Sequence, residues 1–245
     1  AEDLARLRSN FVATVSHELR SPLTAIVGYA ELLEAQWARL DDPERLKMIH
    51  HIAAAANRQM RLVEELLLLS RLELGAIAVK PEPVALSSLV SRAAEEIRTS
   101  YEGQGIDLEG PDNLLVVADP DRALQILLNL IDNAAKYSPE GSPIRVQWTR
   151  EGTHAVVRVR DFGIGVSEEG RQRLFTRFGR VPGSRIRAGR VGTGLGLYLA
   201  RSFAQVMNGE VELESTGPAG STFRLKLPLA RSAQPTVRAP EHSQC

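Results

Sequence analysis

The chain has 245 residues, 43% of them apolar, and a formal net charge of zero. That is enough for one large or two small domains, with no bulk field to draw the chain onto nucleic acid or anionic lipid. No apolar run approaches the roughly 18 residues that span a bilayer, and no segment reads as a signal peptide. The single cysteine, Cys245, excludes a disulfide framework or a cysteine-based zinc site and suits a reducing compartment.

The sequence opens without Met and inside helical periodicity (Leu4, Leu7, Phe11), the pattern of a piece cut from something longer. Residues 1–39 predict one long helix. Within it, Phe11, Val15 and Leu19 recur every four residues and share a face, and His17 lies off that stripe, pointing outward beside Glu18. Asp41-Asp42-Pro43 is a break, with Asp42 as N-cap and Pro43 in the first turn of the next helix. Residues 43–73 predict that helix, with an apolar stripe at Ile49, Ile52, Ala56, Met60, Val63 and Leu67. The run Leu66–Leu69 is more apolar than one face requires. Two long helices joined by a short turn form a hairpin that cannot hide both stripes alone, so a second copy is expected to complete a four-helix bundle.

Gly75, Pro81 and Pro83 mark a linker at 75–84. The expected domains are therefore the hairpin at 1–74, a mixed domain at 85–230 and a loose tail at 231–245. In the mixed domain the pattern predicts a helix at 86–102, strands near 106–109 and 114–118, and a helix at 120–136. Strands near 143–150 and 154–161, a helix at 193–207 and a final hairpin at 210–216 and 221–229 follow. This order suggests an α+β sandwich with helices on one face.

Four segments carry chemistry. In 11–23 (FVATVSHELRSPL) an exposed imidazole sits beside a carboxylate that can hold one ring nitrogen protonated and leave the other with a free lone pair, a phosphoryl acceptor; taken alone, a surface histidine is the simpler reading. In 129–137 (NLIDNAAKY), Asn129 and Asn133 lie one turn apart on one helix face, with Lys136 and Tyr137 a turn further. Two amides and a cation suit a phosphate chain with Mg²⁺, against a pair of surface or capping asparagines. In 161–165 (DFGIG) a strand ends at Asp161, and Gly163 and Gly165 let the backbone turn sharply against a flat ligand; alone it is also a plain turn. Gly192-Thr193-Gly194-Leu195-Gly196-Leu197 opens a helix, whose N-terminal N–H groups bind phosphate. It is neither a Walker A loop nor a dinucleotide fingerprint.

These four segments, in this order, resemble the catalytic core of a sensor histidine kinase of a two-component system, over about residues 4–230. The resemblance implies an all-α dimerisation hairpin followed by an ATP-binding sandwich of the histidine kinase, gyrase and Hsp90 type. It implies ATP and Mg²⁺ as cofactors, His17 as phosphoacceptor with Glu18 steering its other ring proton, and Asn133 as direct metal ligand. Asn129 corresponds to the position where hydrolytic relatives of the fold carry a glutamate base; an amide cannot activate water, which favours transfer over hydrolysis. Asp161 reads the adenine amine, and Thr222, in a last strand resembling the family's, approaches adenine. The segment 171–191, with LFTRF like the family's phenylalanine box, is expected to be a mobile lid over ATP, and Arg177 or Arg180 to stabilise charge on the moving phosphate; a solvated basic loop is the plainer reading.

The resemblance further implies a response-regulator receiver domain as partner, docking on the hairpin around His17. It also implies homodimerisation and a cytoplasmic core whose parent is membrane-anchored, with no membrane contact in this stretch. Ser21 stands where the family often has Thr or Asn to orient water for dephosphorylating the partner; its hydroxyl keeps that capacity without their methyl or amide. Pro22 removes a backbone donor and is expected to loosen or kink its helix. The rival readings are a serine kinase or ATPase on the same sandwich, which leaves the hairpin unexplained, a phosphotransfer module without ATP chemistry, and an ATP-binding scaffold or phosphatase-dominant regulator with little kinase activity.

Overall fold

The computed structural model describes residues 2–101, 103–179 and 192–230, with side chains from Val12 onward. Helix α1 (Glu2–Gln36) and helix α2 (Asp42–Glu73) form the hairpin. The turn between them is fixed by a reciprocal capping box: Glu44 N–H donates to Asp41 Oδ1 at 2.8 Å, and Asp41 N–H donates to Glu44 Oε2 at 3.2 Å. Asp41, not Asp42, is therefore the N-cap, because only Asp41 has a glutamate three residues on to return the bond. Asp42 instead pairs with Arg45 at 2.7 Å, and the Arg45 guanidinium lies 4.5 Å from the Trp37 ring centroid while donating to the Trp37 carbonyl. At the far end Gly75, with φ +62°, closes α2: its N–H bonds the Leu72 carbonyl and that of Ala76 bonds Arg71, the paired pattern that satisfies the last carbonyls of a helix.

The α2 helix has two apolar faces. Leu62 and Leu69 are buried, with Leu66, Leu68 and Leu72 packed against the same core. Of the stripe read from the sequence, Ile49, Met60, Val63 and Leu67 are exposed and Ile52 and Ala56 half-buried, and Leu23 and Val27 on α1 are exposed too. The excess of apolar residues at 66–69 thus serves an inner seam and an outer one. No helix among the described residues is long and apolar enough to cross a membrane.

Strand β1 (Glu82–Ala85) begins inside the stretch expected as linker. The second domain continues with α3 (Leu86–Ser100), β2 (Ile106–Glu109), β3 (Leu115–Ala118), α4 (Pro120–Tyr137), β4 (Ile144–Glu151) and β5 (His154–Arg160). It closes with α5 (Glu168–Arg173), α6 (Gly196–Val206), β6 (Glu210–Gly217) and β7 (Gly220–Pro228). Strands β1 and β3 make a two-stranded antiparallel ladder, and the main sheet has the order β2-β4-β5-β7-β6, antiparallel except for the β2/β4 pair. Helices α3 and α6 both pack against α4, and the three bury Leu89, Ile126, Leu130 and Phe203 with Val146, Trp148, Val159 and Leu225 from the sheet. Alternation drives this: along β4, Ile144, Val146 and Trp148 point inward and their neighbours do not. Asp119 caps α4 through the N–H groups of Asp121 and Arg122, and its other oxygen accepts the N–H of Lys80 at 2.9 Å. One carboxylate thereby starts the Asn-bearing helix and ties the chain leaving the hairpin to it. The tail at 231–245 and most of the expected lid lie outside the described residues.

Candidate functional site: a nucleotide cleft beside an exposed histidine

A cleft of about 1180 Å³ opens between the hairpin and the face formed by α4, the 161–166 turn and the glycine loop leading into α6. Of the site residues read from the sequence, Asn129, Asn133, Lys136, Tyr137, Asp161, Gly165, Gly192, Thr193, Gly194 and Gly196 line it, together with Ser21 from α1. Ile164, Val166, Leu174 and Phe223 supply its apolar wall.

Asp161 is buried at the end of β5. Its Oδ1 accepts the N–H of Gly163 at 2.9 Å and of Ser221 at 3.1 Å, which fixes the carboxylate at the cleft. Burial pushes its carboxyl up from the usual range, and those two N–H groups pull the other way. A buried, oriented acceptor of this kind suits an exocyclic amine. Gly163 permits the turn to lie against α4, where a methyl would collide with the Tyr137 carbonyl oxygen; Gly165, at φ +76°, lies equally close to the Gly217 carbonyl. Across the cleft, Asn129 Nδ2 donates to the Gly196 carbonyl at 3.1 Å, anchoring the first turn of α6 to α4. Asn133 is half-buried on the same face. Lys136 Nζ pairs with Asp132 on its own helix.

Gly163 shapes the turn without lining the cleft, and three other expected residues fall elsewhere. Thr222 does not line the cleft; Ser221 does, because side chains alternate along β7 and the buried inward positions are Ser221 and Phe223. Arg177 pairs with Glu73 of α2 and its guanidinium lies 5.3 Å from the Tyr198 ring centroid, so it is a contact between the two domains rather than part of the cleft lining. The Leu195 side chain is fully buried at the start of α6, in the core rather than in the cleft lining. Arg180 lies outside the described residues.

On the hairpin, the His17 side chain is 80% exposed and Glu18 is buried beside it. Glu18 Oε1 is 3.9 Å from His17 Nδ1, and its Oε2 is 3.8 Å from Arg58 Nη2 on α2. The carboxylate is thus held from behind by an arginine and faces one ring nitrogen. Ser21 and Pro22, the next turn of α1, line the cleft, so the imidazole sits one turn from its edge. Helix α1 runs through Pro22 without interruption, although that residue cannot donate to the Glu18 carbonyl.

Sequence reading missed Glu65, on the face of α2 toward the glycine loop. It lines the cleft, and its Oε2 is buried with no hydrogen-bond partner among the described residues. Burial raises its carboxyl above the usual range, against the opposing influence of Thr193, Lys136 and Arg61. No motif announces it; the only signal is a pair of glutamates, Glu64 and Glu65, inside an otherwise apolar run.

Residues 7–75 match the family model of the His Kinase A (phospho-acceptor) domain, and residues 118–231 match that of the histidine kinase-, DNA gyrase B-, and HSP90-like ATPases. The chain belongs to the sensor histidine kinases. Sensor-like histidine kinase SenX3 of Mycobacterium tuberculosis is 35% identical over 248 residues, spanning 99% of this chain and 60% of the relative. The ShkA structure in complex with AMPPNP covers 92% of this chain and 47% of that one, with a TM-score of 0.64 and 27% identity. The complex of histidine kinase ThkA with response regulator protein TrrA covers 94% of this chain and 64% of that one, with a TM-score of 0.68 and 23% identity, a likeness of fold. The chain spans between 25% and 60% of the length of the curated relatives KdpD, CikA and SenX3. In this histidine kinase core, the wall of the cleft formed by α4, the 161–166 turn and the glycine loop belongs to the ATPase module, and the opposite wall and His17 belong to the phospho-acceptor module.

Proposed function

We propose that the chain transfers the γ-phosphoryl group of ATP to His17 and then to an aspartate of a response-regulator receiver domain. The observation that carries this reading is the pairing of an exposed imidazole, backed by a buried carboxylate, with a nucleotide cleft lined by the next turn of the same helix. Adenine is read by Asp161 between the apolar residues of the wall. The phosphates lie toward Asn133, Lys136 and the N–H groups of the glycine loop. In the transfer, the lone pair of His17 Nε2 forms the N–P bond while the bond from that phosphorus to the β,γ-bridging oxygen breaks in line, and ADP leaves. The Nδ1 proton moves toward Glu18, whose contact tightens as positive charge develops on the ring. Magnesium, when bound, offsets charge on the phosphate oxygens. The Asn133 amide oxygen would hold it, with phosphate oxygens and water as the other ligands.

The exposed outer stripe of α2 supports a homodimer through the hairpin, and Ser21 supports water orientation for dephosphorylating the partner. The parent is read as membrane-anchored, with this core on the cytoplasmic side. The test is incubation with γ-labelled ATP of the intact chain, His17→Gln and Asn133→Ala. Acid-labile, base-stable label present only in the intact chain is expected; label persisting in His17→Gln removes the acceptor assignment.

A further inference from the structure

Tyr101, immediately after α3, is buried, and its hydroxyl donates to Asp132 Oδ1 at 2.7 Å. The other oxygen of Asp132 pairs with Lys136 Nζ, one turn further along α4. All three residues line the cleft. The Lys136 ammonium faces the glycine loop: a methyl group placed on Gly192 would lie 3.7 Å from it. A lysine head on a four-carbon stem samples many positions. A carboxylate pinned on its far oxygen by a buried hydroxyl selects one of them. The carboxylate also leaves the ammonium with two further N–H donors for ligand oxygens.

We infer that Tyr101 is a positioning residue for phosphate recognition: through Asp132 it holds the Lys136 ammonium at the Gly192 end of the glycine loop, where the terminal phosphates of the nucleotide are bound. The inference rests on the proposed reading of 129–137 and 192–197 as the phosphate-binding segments. It separates Tyr101 from a residue that merely supports the fold. Loss of a structural hydrogen bond weakens every ligand alike, whereas loss of this one weakens only ligands that carry phosphates.

The test compares equilibrium binding of ATP and of adenosine to the 245-residue chain and to Tyr101→Phe, Lys136→Met and the double variant. Tyr101→Phe keeps the buried ring and removes one hydrogen bond, so ATP affinity is expected to fall roughly 3- to 10-fold with adenosine affinity unchanged. Lys136→Met lowers the ATP-to-adenosine ratio further, and the double variant binds ATP no more weakly than Lys136→Met alone. Asp132→Asn, which keeps an acceptor for the hydroxyl and loses the ion pair, reproduces the ATP-specific loss and stands in if Tyr101→Phe folds poorly. Equal weakening of ATP and adenosine by Tyr101→Phe, or additive losses in the double variant, overturns the inference. An unchanged ratio in Lys136→Met overturns the phosphate reading itself.

Discussion

Asp161 accepts the backbone N–H of Ser221 at 3.1 Å, so the carboxylate at the end of β5 is fixed by its neighbouring strand β7. In Asp161→Asn the retained Oδ1 still accepts the Gly163 and Ser221 N–H groups, but the second position becomes an NH₂ donor where the proposed reading puts the adenine amine. Exchanging an acceptor for a donor there removes about 2–3 kcal/mol of binding, or roughly 30- to 150-fold in ATP affinity. Stability moves the other way. A carboxyl raised by burial contributes stability that is present below its unfolded pKa and lost as pH rises through the folded value. At neutral pH the asparagine variant, free of a buried charge, is therefore expected to melt at or above the parent temperature. A melting curve paired with a nucleotide titration checks both signs; a drop in both quantities contradicts the account.

The same β7 strand shows why part of the site was legible in the sequence and part was not. The motif 161–165 and the last strand were both visible, but a strand has a period of two, and a one-residue difference in parity put Thr222 where Ser221 stands. The long helices were read from apolar spacing to within a few residues. β1 was hidden because Pro81 and Pro83 read as linker, and Pro83 is tolerated in the two-stranded ladder with β3. α5 was hidden because six residues are too few to show a period; its one signal is the cap at Ser167, whose Oγ accepts the Gly170 N–H. Tyr101, Asp132 and Glu65 reach the cleft only through tertiary packing, which spacing along one element does not encode.

Gly165 tests the backbone of the turn directly. Its φ is +76°, and a Cβ there would collide with the Gly217 carbonyl on β6, so alanine meets strain and a clash together. Gly165→Ala is expected to lose about 2–4 kcal/mol in urea unfolding and to lose nucleotide binding with it. An unchanged unfolding midpoint would show that the turn has room the geometry does not display.

Glu65 places a titrating group between α2 and the glycine loop. Its carboxyl is raised chiefly by burial, so its stabilising contribution is complete below the ordinary glutamate pKa of about 4.3 and fades as pH rises through the elevated folded value. The parent chain is expected to lose melting temperature over that window, and Glu65→Gln to show a flatter profile with higher stability at neutral pH. A pH series of melting curves decides it: parallel profiles for the two proteins remove Glu65 as the titrating group.

Arg177 is expected to matter less for chemistry than its position in the phenylalanine-box segment suggests. It pairs with Glu73, and both side chains are well exposed, so a double-mutant cycle on stability with Arg177→Ala and Glu73→Ala should give a coupling below about 1 kcal/mol. ATP affinity should stay within about threefold of the parent. A hundredfold loss of ATP affinity would return Arg177 to the nucleotide site.

Val63 separates the outer seam of the hairpin from its inner one. It is 42% exposed in the single chain while Leu62 beside it is buried, so a charge at 63 leaves the inner packing intact and meets only what covers the outer stripe. In a four-helix bundle that cover is the second copy, and a carboxylate buried there without a partner costs several kcal/mol per copy. Val63→Glu is therefore expected to sediment as a monomer at micromolar concentration, with its helical circular dichroism retained and adenosine affinity unchanged. Leu62→Glu, directed into the shared core, is expected to unfold the hairpin instead. If Val63→Glu remains dimeric, the outer stripe of α2 is not the dimer seam, and the copies meet through another face.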